Sequence, residues 1–393
     1  MANFIHTSDW QIGMPFKGLK ESSRARMADD RIDVIKSIEK LIKNGDEPIE
    51  FVLVCGDLFD SYNPPAALIE KTKRAIEFVT VPVYVISGNH EWGEFQNVFD
   101  SEAFKSRMPK NLVILEPGLT RVNDSTEIYA LPLKAKHGLE DPFSDYNPMP
   151  RTPGVKRILA MHGQLDGMID LKDVETGTAS SQIKLARLIE MLDKGEVDYV
   201  ALGDRHTTTD VENLGPLTRS SNGRVFYSGA PEPTGYREEN QRNVLVVDLS
   251  GDEPKVKPRE VGKWRFATIG TPQNPIELKS RAEIDDLLDK WQAEESQTTC
   301  VKLYCNKYFG VEDDWHLKRR LVALDSDDFA FFRESKRNSE FVQKVELNIE
   351  DENPIGLSGF LLDASKELQS AAKSGDELAS QALEILAELK ARA

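Results

Sequence analysis

The 393-residue chain carries 66 acidic side chains against 50 lysines and arginines, which gives a formal net charge of −16. Proteins that bind DNA non-specifically on their own usually present an excess of basic residues, so this charge argues against such a protein. It is compatible with an enzyme that binds phosphate through metal ions and leaves most of the DNA contact to a partner. No apolar run reaches the roughly 20 residues that a membrane span requires, and the first ten residues lack the features of a signal peptide.

The cysteines indicate a reducing compartment. Cys55, Cys300 and Cys305 are too few for a disulfide framework. Cys300 and Cys305 are predicted to point to opposite faces of one strand, which excludes zinc-ribbon spacing. We therefore expect three reduced, packed thiols in a cytoplasmic protein.

Short apolar runs alternate with longer amphipathic segments through residues 1–250. The first run predicts a strand, the isoleucines at helical spacing after it predict a helix, and the next continuous apolar run is typical of a strand buried on both faces. Alternating strands and helices followed by a run of strands predict a sheet sandwich flanked by helices. The predicted strands are 4–8, 51–55, 81–87, 127–132, 157–161, 199–203, 225–228 and 243–249, and the predicted helices are 22–44, 66–79 and 180–194.

A second, smaller domain is predicted after a change of composition at residues 251–262, where Asp, Pro and Lys indicate a linker. Strands and helices alternate beyond it, which predicts a compact α+β domain over 263–350. The predicted strands are 264–270, 298–309 and 329–334, and the predicted helices are 280–295 and 313–324.

Residues 353–393 are predicted to form a helical tail, with helices at 357–372 and 376–392. The last helix carries an apolar stripe. Packing against the chain's own body and docking of a partner explain such a stripe equally well. The stripe consists of Leu378, Leu383, Leu386 and Leu389.

Five short motifs lie where predicted strands of the first domain end. Strand ends are where an α/β scaffold gathers functional side chains on one rim. The glycines of these motifs allow turns or close backbone approach that a Cβ would obstruct. The motifs are Ser8-Asp9-Trp10-Gln11, Gly56-Asp57-Leu58-Phe59-Asp60, Gly88-Asn89-His90-Glu91, His162-Gly163 and Gly203-Asp204-Arg205-His206.

The motifs offer carboxylates, amides and imidazoles, a mixture that suits divalent cations bound through oxygen and nitrogen and not a thiolate site. Two cations about 3.5–4 Å apart would share the charge of a phosphoester, hold an attacking water with a lowered pKa and stabilise the leaving oxygen. A carboxylate that bridges the cations and an imidazole that protonates the leaving group would complete the site. The residues therefore predict a two-metal phosphoesterase.

The ordered set of motifs resembles the signature of the calcineurin-like metallophosphoesterase superfamily. Three blocks resemble more narrowly the DNA double-strand-break repair nucleases of the SbcD type and their meiotic-recombination-eleven relatives. These blocks are His6-Thr7-Ser8-Asp9-Trp10 with Ile12-Gly13, Gly56-Asp57-Leu58-Phe59-Asp60, and Tyr227-Ser228-Gly229-Ala230-Pro231-Glu232.

The resemblance covers residues 1–250 and implies the architecture of the whole chain. The nuclease domain at 1–250 would be a four-layer α/β/β/α metallophosphoesterase sandwich. Residues 263–350 would form a small α+β capping domain, and residues 353–393 a C-terminal helical partner-docking segment.

The same resemblance assigns a metal ligand to each matching position. Asp9 and His206 would bind the first metal, and Asp57 would bridge both metals. Asn89 and His162 would bind the second metal.

It also implies the catalytic residues. His90 would be the proton donor and transition-state stabiliser. Asp60 and Glu91 would support it by fixing the neighbouring loops and the His90 ring through hydrogen bonds.

Gln11 and Asp204 depart from the family pattern, which has histidines at both positions. Gln11 stands where a ligand of the first metal is expected, and Asp204 where a ligand of the second is expected. Both side chains offer an oxygen, so we expect them to be ligands of a working site and not marks of a decayed one. The carboxylate of Asp204 should help to retain the second ion, and the oxygen-rich ligand set favours Mn²⁺ or Mg²⁺ over Zn²⁺.

The resemblance implies an Mn²⁺-dependent DNA exonuclease, endonuclease or both, acting in DNA repair, recombination or defence. Such a subunit is usually a homodimer and works with an SMC-like coiled-coil ATPase, which would dock on the C-terminal helices. Two alternatives stay open. The metal core is shared with small-molecule phosphodiesterases and phosphatases, and the altered positions Gln11 and Asp204 would also suit a catalytically silent scaffold that binds DNA ends or a partner.

Other polar and aromatic residues invite a functional interpretation. His6 is expected to be packed in its strand and Trp10 to be a buried loop aromatic, whereas His137 and His316 are expected to be exposed. The local basic clusters are expected to be solvated surface. Contact with a nucleic-acid backbone stays open for Tyr236, Arg237 and Arg242.

Overall fold

The computed structural model describes residues 3–16, 18–136, 141–147, 149–166, 182–211, 223–239, 242–294, 296–335, 357–376, 378–380, 382–383 and 385–386. The chain divides into two compact units, residues 1–266 and residues 267–393. Within the described part of the chain, no helix is both long enough and apolar enough to cross a membrane.

The first unit alternates strands and helices in the predicted order. Its strands are β1 (Asn3–Thr7), β2 (Phe51–Cys55), β3 (Val83–Ile86), β4 (Leu112–Ile114), β5 (Gly118–Asn123), β6 (Thr126–Leu131), β7 (Lys156–His162), β8 (Gln164–Leu165), β9 (Gln182–Ile183), β10 (Tyr199–Gly203), β11 (Thr209–Asp210), β12 (Val225–Tyr227), β13 (Asn243–Asp248) and β14 (Lys255–Glu260). Its helices are α1 (Glu21–Asn44), α2 (Ala66–Glu77), α3 (Glu102–Lys105) and α4 (Leu185–Asp193), with a 3-10 turn at Val98–Asp100.

Two six-stranded sheets form the centre of this unit. Their strand orders are β14-β13-β1-β2-β3-β4 and β11-β12-β10-β7-β6-β5. Strands β1 to β4 are parallel to one another, as are β6, β7, β10 and β12. Antiparallel strands flank both parallel sets. The carboxyl ends of the parallel strands of each sheet therefore meet at one edge of that sheet.

The two sheets face each other across an apolar core. The Phe4 and Phe51 rings stack with centroids 4.9 Å apart, and the Tyr199 ring from the second sheet meets Phe4 edge-on at 5.8 Å. Isoleucines of α1 and α2 pack on the outer face of the first sheet, and α4 packs on the outer face of the second. The mixed α/β sandwich with parallel sheets, predicted from the alternation of elements, is confirmed.

The predicted linker at 251–262 is wrong, because β14 occupies most of it. Lys255–Glu260 pairs antiparallel with β13 and forms the edge of the first sheet. Its lysines are exposed, and Pro258, which has no N–H to donate, is tolerated on an edge strand. An edge strand of this kind is as polar as a linker, and composition cannot separate the two.

The second unit contains both helices and strands. It has a three-stranded sheet of order β15-β17-β19 and a two-stranded sheet of β16 and β18. Its elements are β15 (Arg265–Ile269), β16 (Ile276–Leu278), α5 (Arg281–Gln292), β17 (Ser296–Leu303), β18 (Cys305–Lys307), α6 (Val311–Ala323), a π-helical turn (Leu324–Asp328), β19 (Phe329–Glu334) and α7 (Phe360–Lys373).

The single strand predicted at 298–309 is two strands in different sheets. The chain changes sheet at Tyr304, whose N–H donates to Ile269 and whose carbonyl accepts from Ile276. Cys300 and Cys305 therefore lie on different strands, and both are buried. The apolar pattern continues across the break, so periodicity alone could not locate it.

The predicted tail helix at 357–372 begins later, at Phe360 in α7. Phe360 is 83% exposed, and Leu378 of the predicted stripe is 76% exposed, whereas Leu383 is buried. Leu389 lies outside the described residues. Of the described members of the stripe, Leu383 is therefore packed and Leu378 is exposed.

Candidate metal centre

The predicted ligands follow the ends of neighbouring parallel strands. Asp9 follows β1, Asp57 follows β2 and Asn89 follows β3, and these three strands are adjacent in the first sheet. In the second sheet, His162 ends β7 and Asp204 follows the adjacent strand β10. The parallel topology is what gathers side chains from distant parts of the sequence.

Three of the predicted ligands form a group that could hold a cation. One ligand atom each of Asp9, Asp57 and His162 lies within 4.8 Å of the others, and all three side chains are buried. His162 Nε2 lies 3.7 Å from an oxygen of Asp204, and His206 Nε2 lies 3.8 Å from an oxygen of Asp9. Buried carboxylates repel one another unless positive charge lies between them. The donor set therefore fits divalent cations bound by oxygen and nitrogen.

Four predicted ligands adopt backbone angles that residues other than glycine rarely adopt. The φ angles are 53° at Asp9, 48° at Gln11, 55° at Asp57 and 95° at Asp204. Positive φ costs free energy and persists where the surrounding structure enforces it. Here the Asp9 N–H donates to Gly56 O and the Gln11 N–H donates to Asp57 O, both at 3.0 Å. These hydrogen bonds hold the first two motifs together. The strained residues of both motifs direct their side chains into one site.

Glycines bring the loops close enough for this arrangement. A Cβ on Gly88 would lie 2.2 Å from Asp57 Oδ1, and one on Gly56 would lie 2.3 Å from His162 Nδ1. Both distances are far below contact. The predicted requirement for glycine at these strand ends is a packing requirement against the ligands themselves.

Glu91 connects the second and third motifs. This buried carboxylate accepts hydrogen bonds from the backbone N–H groups of Asp57, Gly88 and Phe59, at 2.9, 2.8 and 3.0 Å. Burial and the nearby charge of Asp57 raise the pKa of Glu91 to about 7, against the opposing effect of its backbone hydrogen bonds. Its partners are these loops, and the expected contact with the His90 ring does not occur among them.

The His90 ring is oriented by backbone. Its Nδ1 lies 2.7 Å from the carbonyl oxygen of Asp60, so Nδ1 is the protonated donor nitrogen. Its Nε2 lies 3.9 Å from Asp57 Oδ2, and the side chain is 36% exposed. Asp60 thus supports the ring through the hydrogen bond that its carbonyl group accepts, and its carboxyl group also interacts electrostatically with His90. The Nε2 atom of His90 is left to meet a substrate beside the metal ligands.

His162 is held between a carbonyl and an amide. Its Nδ1 lies 2.7 Å from Cys55 O, and its Nε2 lies 2.9 Å from Asn89 Oδ1. Burial opposes the charged imidazolium, but the carboxylates of Asp57, Asp9 and Asp204 outweigh it and raise the pKa of His162 to about 9. In the absence of a cation the ring is therefore protonated at neutral pH, and a cation must displace that proton.

The two departures from the family pattern lie inside the site. Gln11 Nε2 donates to Asp57 Oδ2 at 2.8 Å, which fixes the carboxylate expected to bridge the metals. The Asp204 N–H lies 3.2 Å from both carboxylate oxygens of Asp9. Both residues are placed among the ligands, and metal ligation by either stays a prediction.

Sequence patterns did not reveal several residues that support the ligands. Ser8 donates to Asp9 Oδ2 at 2.5 Å. Buried Arg31 donates to Trp10 O at 3.1 Å and to Pro233 O at 2.7 Å, which ties the first motif to a distant turn. Glu238 lies 3.2 Å from His206 Nδ1. No spacing rule links residues so far apart, although Ser8 stands within a motif.

The expected burial of residues outside the centre is confirmed for some of them and wrong for others. His6 is buried against Tyr199 and Leu202, and burial lowers its pKa to about 3, which confirms a packed histidine. Trp10 is buried, as expected. His316 was expected to be exposed but is half-buried, 2.6 Å from Asp285, because α5 and α6 pack together. His137 lies outside the described residues.

We predict that cation binding releases protons. Burial opposes the imidazolium at His206 too, but the hydrogen bond to Glu238 and the charge of Asp9 raise its pKa to about 9, as at His162. Below that pH each ring must lose a proton to bind, so Mn²⁺ affinity should rise with pH by about tenfold per unit for each proton released. Calorimetric titrations in buffers of different ionisation enthalpy measure the number of protons released per Mn²⁺ ion bound. Binding without proton release would contradict these pKa shifts.

We predict that Gly88→Ala weakens Mn²⁺ binding at least about tenfold, because the methyl group would displace the Asp57 carboxylate. Gly235→Ala is the matched control, since a Cβ there meets nothing within 4 Å. Calorimetry with both variants and with the unaltered chain tests this. Equal affinity in all three would mean that the Gly88 loop can move away without loss.

Comparisons with known proteins agree with this geometry. Residues 2–208 match the calcineurin-like phosphoesterase family. The SbcD component of the nuclease SbcCD from Bacillus subtilis is 33% identical over 316 residues, which are 70% of this chain and 72% of that protein. The uncharacterized metallophosphoesterase YhaO of the same organism is 22% identical over 366 residues, which are 90% of this chain and 83% of that protein.

A third relative matches a smaller share of its own length. DNA double-strand break repair protein Mre11 of Methanosarcina mazei is 25% identical over 272 residues, which are 67% of this chain but 39% of that protein. The family match alone covers more than half of the chain. It includes the strand ends that carry all five motifs. The chain therefore belongs to the calcineurin-like phosphoesterase family.

Proposed function

We propose that the chain is a metal-dependent DNA nuclease subunit that hydrolyses phosphodiester bonds. The observation that carries the proposal is the convergence of buried Asp9, Asp57 and His162 beside a solvent-accessible His90 side chain. The 33% identity to a protein named as a component of a nuclease supports a nucleic-acid substrate.

Five side chains would hold the two cations in the way the family resemblance implies. Asp9 and His206 would bind one, Asn89 and His162 the other, and Asp57 both. Bound divalent cations supply positive charge that offsets the phosphodiester charge and lowers the pKa of an attacking water. With Gln11 and Asp204 as the two further expected ligands, carboxylate and amide oxygens predominate, so we propose Mn²⁺ or Mg²⁺. Higher activity with Zn²⁺ than with Mn²⁺ would contradict this preference.

His90 is the proposed proton donor. Because Asp60 O fixes Nδ1–H, the proton that reaches the leaving alkoxide must come from Nε2. Asp57 Oδ2 lies 3.9 Å from Nε2, so the proposed donor atom lies beside the carboxylate that is expected to bridge the metals. The backbone N–H of His90 donates to Asp57 Oδ1 at 3.0 Å, so the donor and the bridging carboxylate keep a fixed separation.

We predict that His90→Ala lowers DNA cleavage by about 10²–10⁴-fold in Mn²⁺ while two ions stay bound, because it removes the general acid and no metal ligand. End-labelled linear double- and single-stranded DNA report cleavage. Asp60→Asn is the control: it keeps the carbonyl group that holds Nδ1 and should therefore retain much more activity than His90→Ala.

The same experiment separates the alternatives. Two tightly bound ions with no DNA cleavage in either protein would point to an obligate partner or to a small-molecule phosphodiester substrate. Absence of both metal and cleavage would favour a scaffold that binds DNA ends or a partner.

The distribution of charge supports dependence on a partner for DNA binding. Among the described residues, several basic side chains outside the metal centre pair with acidic ones, and each such pair offers less free positive charge to a phosphate backbone. Such pairs are Lys134–Asp145, Lys156–Asp198, Arg157–Glu127, Lys318–Asp314, Arg320–Asp285 and Arg333–Asp325. We propose that an SMC-like coiled-coil ATPase supplies the missing surface, and that the nuclease subunit works as a homodimer in DNA repair, recombination or defence.

Exposed apolar residues in the second unit support docking through the tail. Phe360, Leu361 and Leu378 are 83%, 49% and 76% exposed. Apolar side chains on a solvated helix often mark a contact with another protein.

We predict that deletion of residues 353–393 abolishes association with the ATPase and spares hydrolysis of a small phosphodiester, because every proposed ligand lies in the first unit. Co-purification and a chromogenic phosphodiester assay measure the two properties. The double variant Phe360→Ser, Leu378→Ser is a gentler control that should lose association alone, since both side chains are exposed. Loss of hydrolysis on deletion would indicate a structural tail.

A further inference from the structure

The two imidazoles of the metal centre are held by different acceptors. His162 Nδ1 lies 2.7 Å from the carbonyl oxygen of Cys55, which is neutral. His206 Nδ1 lies 2.6 Å from Thr234 Oγ1 and 3.2 Å from Glu238 Oε1, an oxygen of a carboxylate. The two rings therefore differ in the charge of the group that their Nδ1 atoms meet.

Glu238 is itself fixed by the turn that precedes it. Both of its oxygens accept from the Thr234 N–H, at 3.1 and 2.9 Å, and the Thr234 hydroxyl donates to Glu238 Oε1. The carboxylate is 9% exposed. Because the Thr234 proton points to Glu238, the Thr234 oxygen can accept from His206. The three side chains form one hydrogen-bonded unit.

This arrangement determines which nitrogen of His206 can bind a cation. A carboxylate only accepts hydrogen bonds, so Nδ1 must carry the proton. Nε2 then presents its lone pair, and it is the atom that lies 3.8 Å from Asp9 Oδ1. A hydrogen bond to a charged acceptor is stronger than one to a carbonyl group and makes the imidazole a better electron donor.

The need for such support is greatest on the Asp9 side of the centre. Gln11 stands there in place of a histidine, and a neutral amide is a weaker ligand than an imidazole. Its Nε2 also donates to Asp57 at 2.8 Å. His206 is thus the one imidazole expected at the first cation, and the strength of its bond should matter more than in a site with two.

We propose that Glu238, acting with Thr234, is a positioning residue that fixes the tautomer of His206 and strengthens its hold on the first cation. The assignment rests on the metal centre of the function proposed above and is independent of the substrate. Glu238 does not touch the reacting atoms in this assignment and acts only through His206.

Calorimetric titration of the full chain with Mn²⁺, after removal of metal with EDTA, tests the assignment. Glu238→Gln should lower the affinity for one of the two Mn²⁺ ions by about 10–100-fold and leave the affinity for the other unchanged. Glu239→Gln is the matched control: it removes the same charge from the neighbouring exposed glutamate and should bind as the unaltered chain does. Thr234→Val should weaken binding of the same ion. The double variant should lose less binding free energy than the sum of the losses in the two single variants, because both residues act through one ring.

Unchanged Mn²⁺ affinity in Glu238→Gln would overturn the assignment. If Glu238→Gln lowered the affinity for both ions equally and also lowered the melting temperature of the protein in EDTA, the assignment would likewise be overturned, since the role of Glu238 would then be structural. An unaltered chain that binds no Mn²⁺ would overturn the assignment and the metal centre together. DNA is absent from these titrations, so two bound ions without DNA cleavage would point to an obligate partner or to another phosphodiester substrate and would leave the role of Glu238 intact.

Discussion

The position of one carboxylate, that of Asp57, determines the arrangement of the centre. Its backbone N–H is held by Glu91, its Oδ1 accepts from the backbone of His90, and its Oδ2 accepts from Gln11. Gly88 leaves no room for it to move, because even a methyl group there would collide with it. Loops from three adjacent strands therefore converge on a single side chain, and a change in any of them reaches the others through it.

This convergence buries several carboxylates close together, which is electrostatically unfavourable. Burial raises the pKa of Asp9 to about 6, and Asp57 and Asp204 add negative charge around it. Protons on His162 and His206 offset that charge when no cation is present. Four of the predicted ligands also have positive φ angles, and strained backbone of this kind concentrates at functional sites. Proton and cation thus compete for one set of buried groups.

Prediction from the sequence succeeds for the proximity of Asp9, Asp57 and His162, because their motifs lie at strand ends and parallel strands bring such motifs to a common edge. It fails where the relevant pattern is not local. Glu238 and Arg31 reach the centre through tertiary contacts that no spacing anticipates. The break at Tyr304 is hidden because apolar residues continue on both sides of it, and the role of Asp60 is hidden because it is performed by the backbone.

The edge strand β14 has a consequence for how copies of the chain can assemble. A free sheet edge invites a neighbouring molecule to continue the hydrogen-bond ladder across the boundary between chains. Here a neighbouring strand would meet the charged side chains of Lys255 and Lys257, of which Lys257 pairs with Glu47, and Pro258, which has no N–H to donate. Charged side chains and a proline on an edge strand disfavour such an extension, so the β14 edge is a poor surface for joining copies of the chain through a continuous sheet.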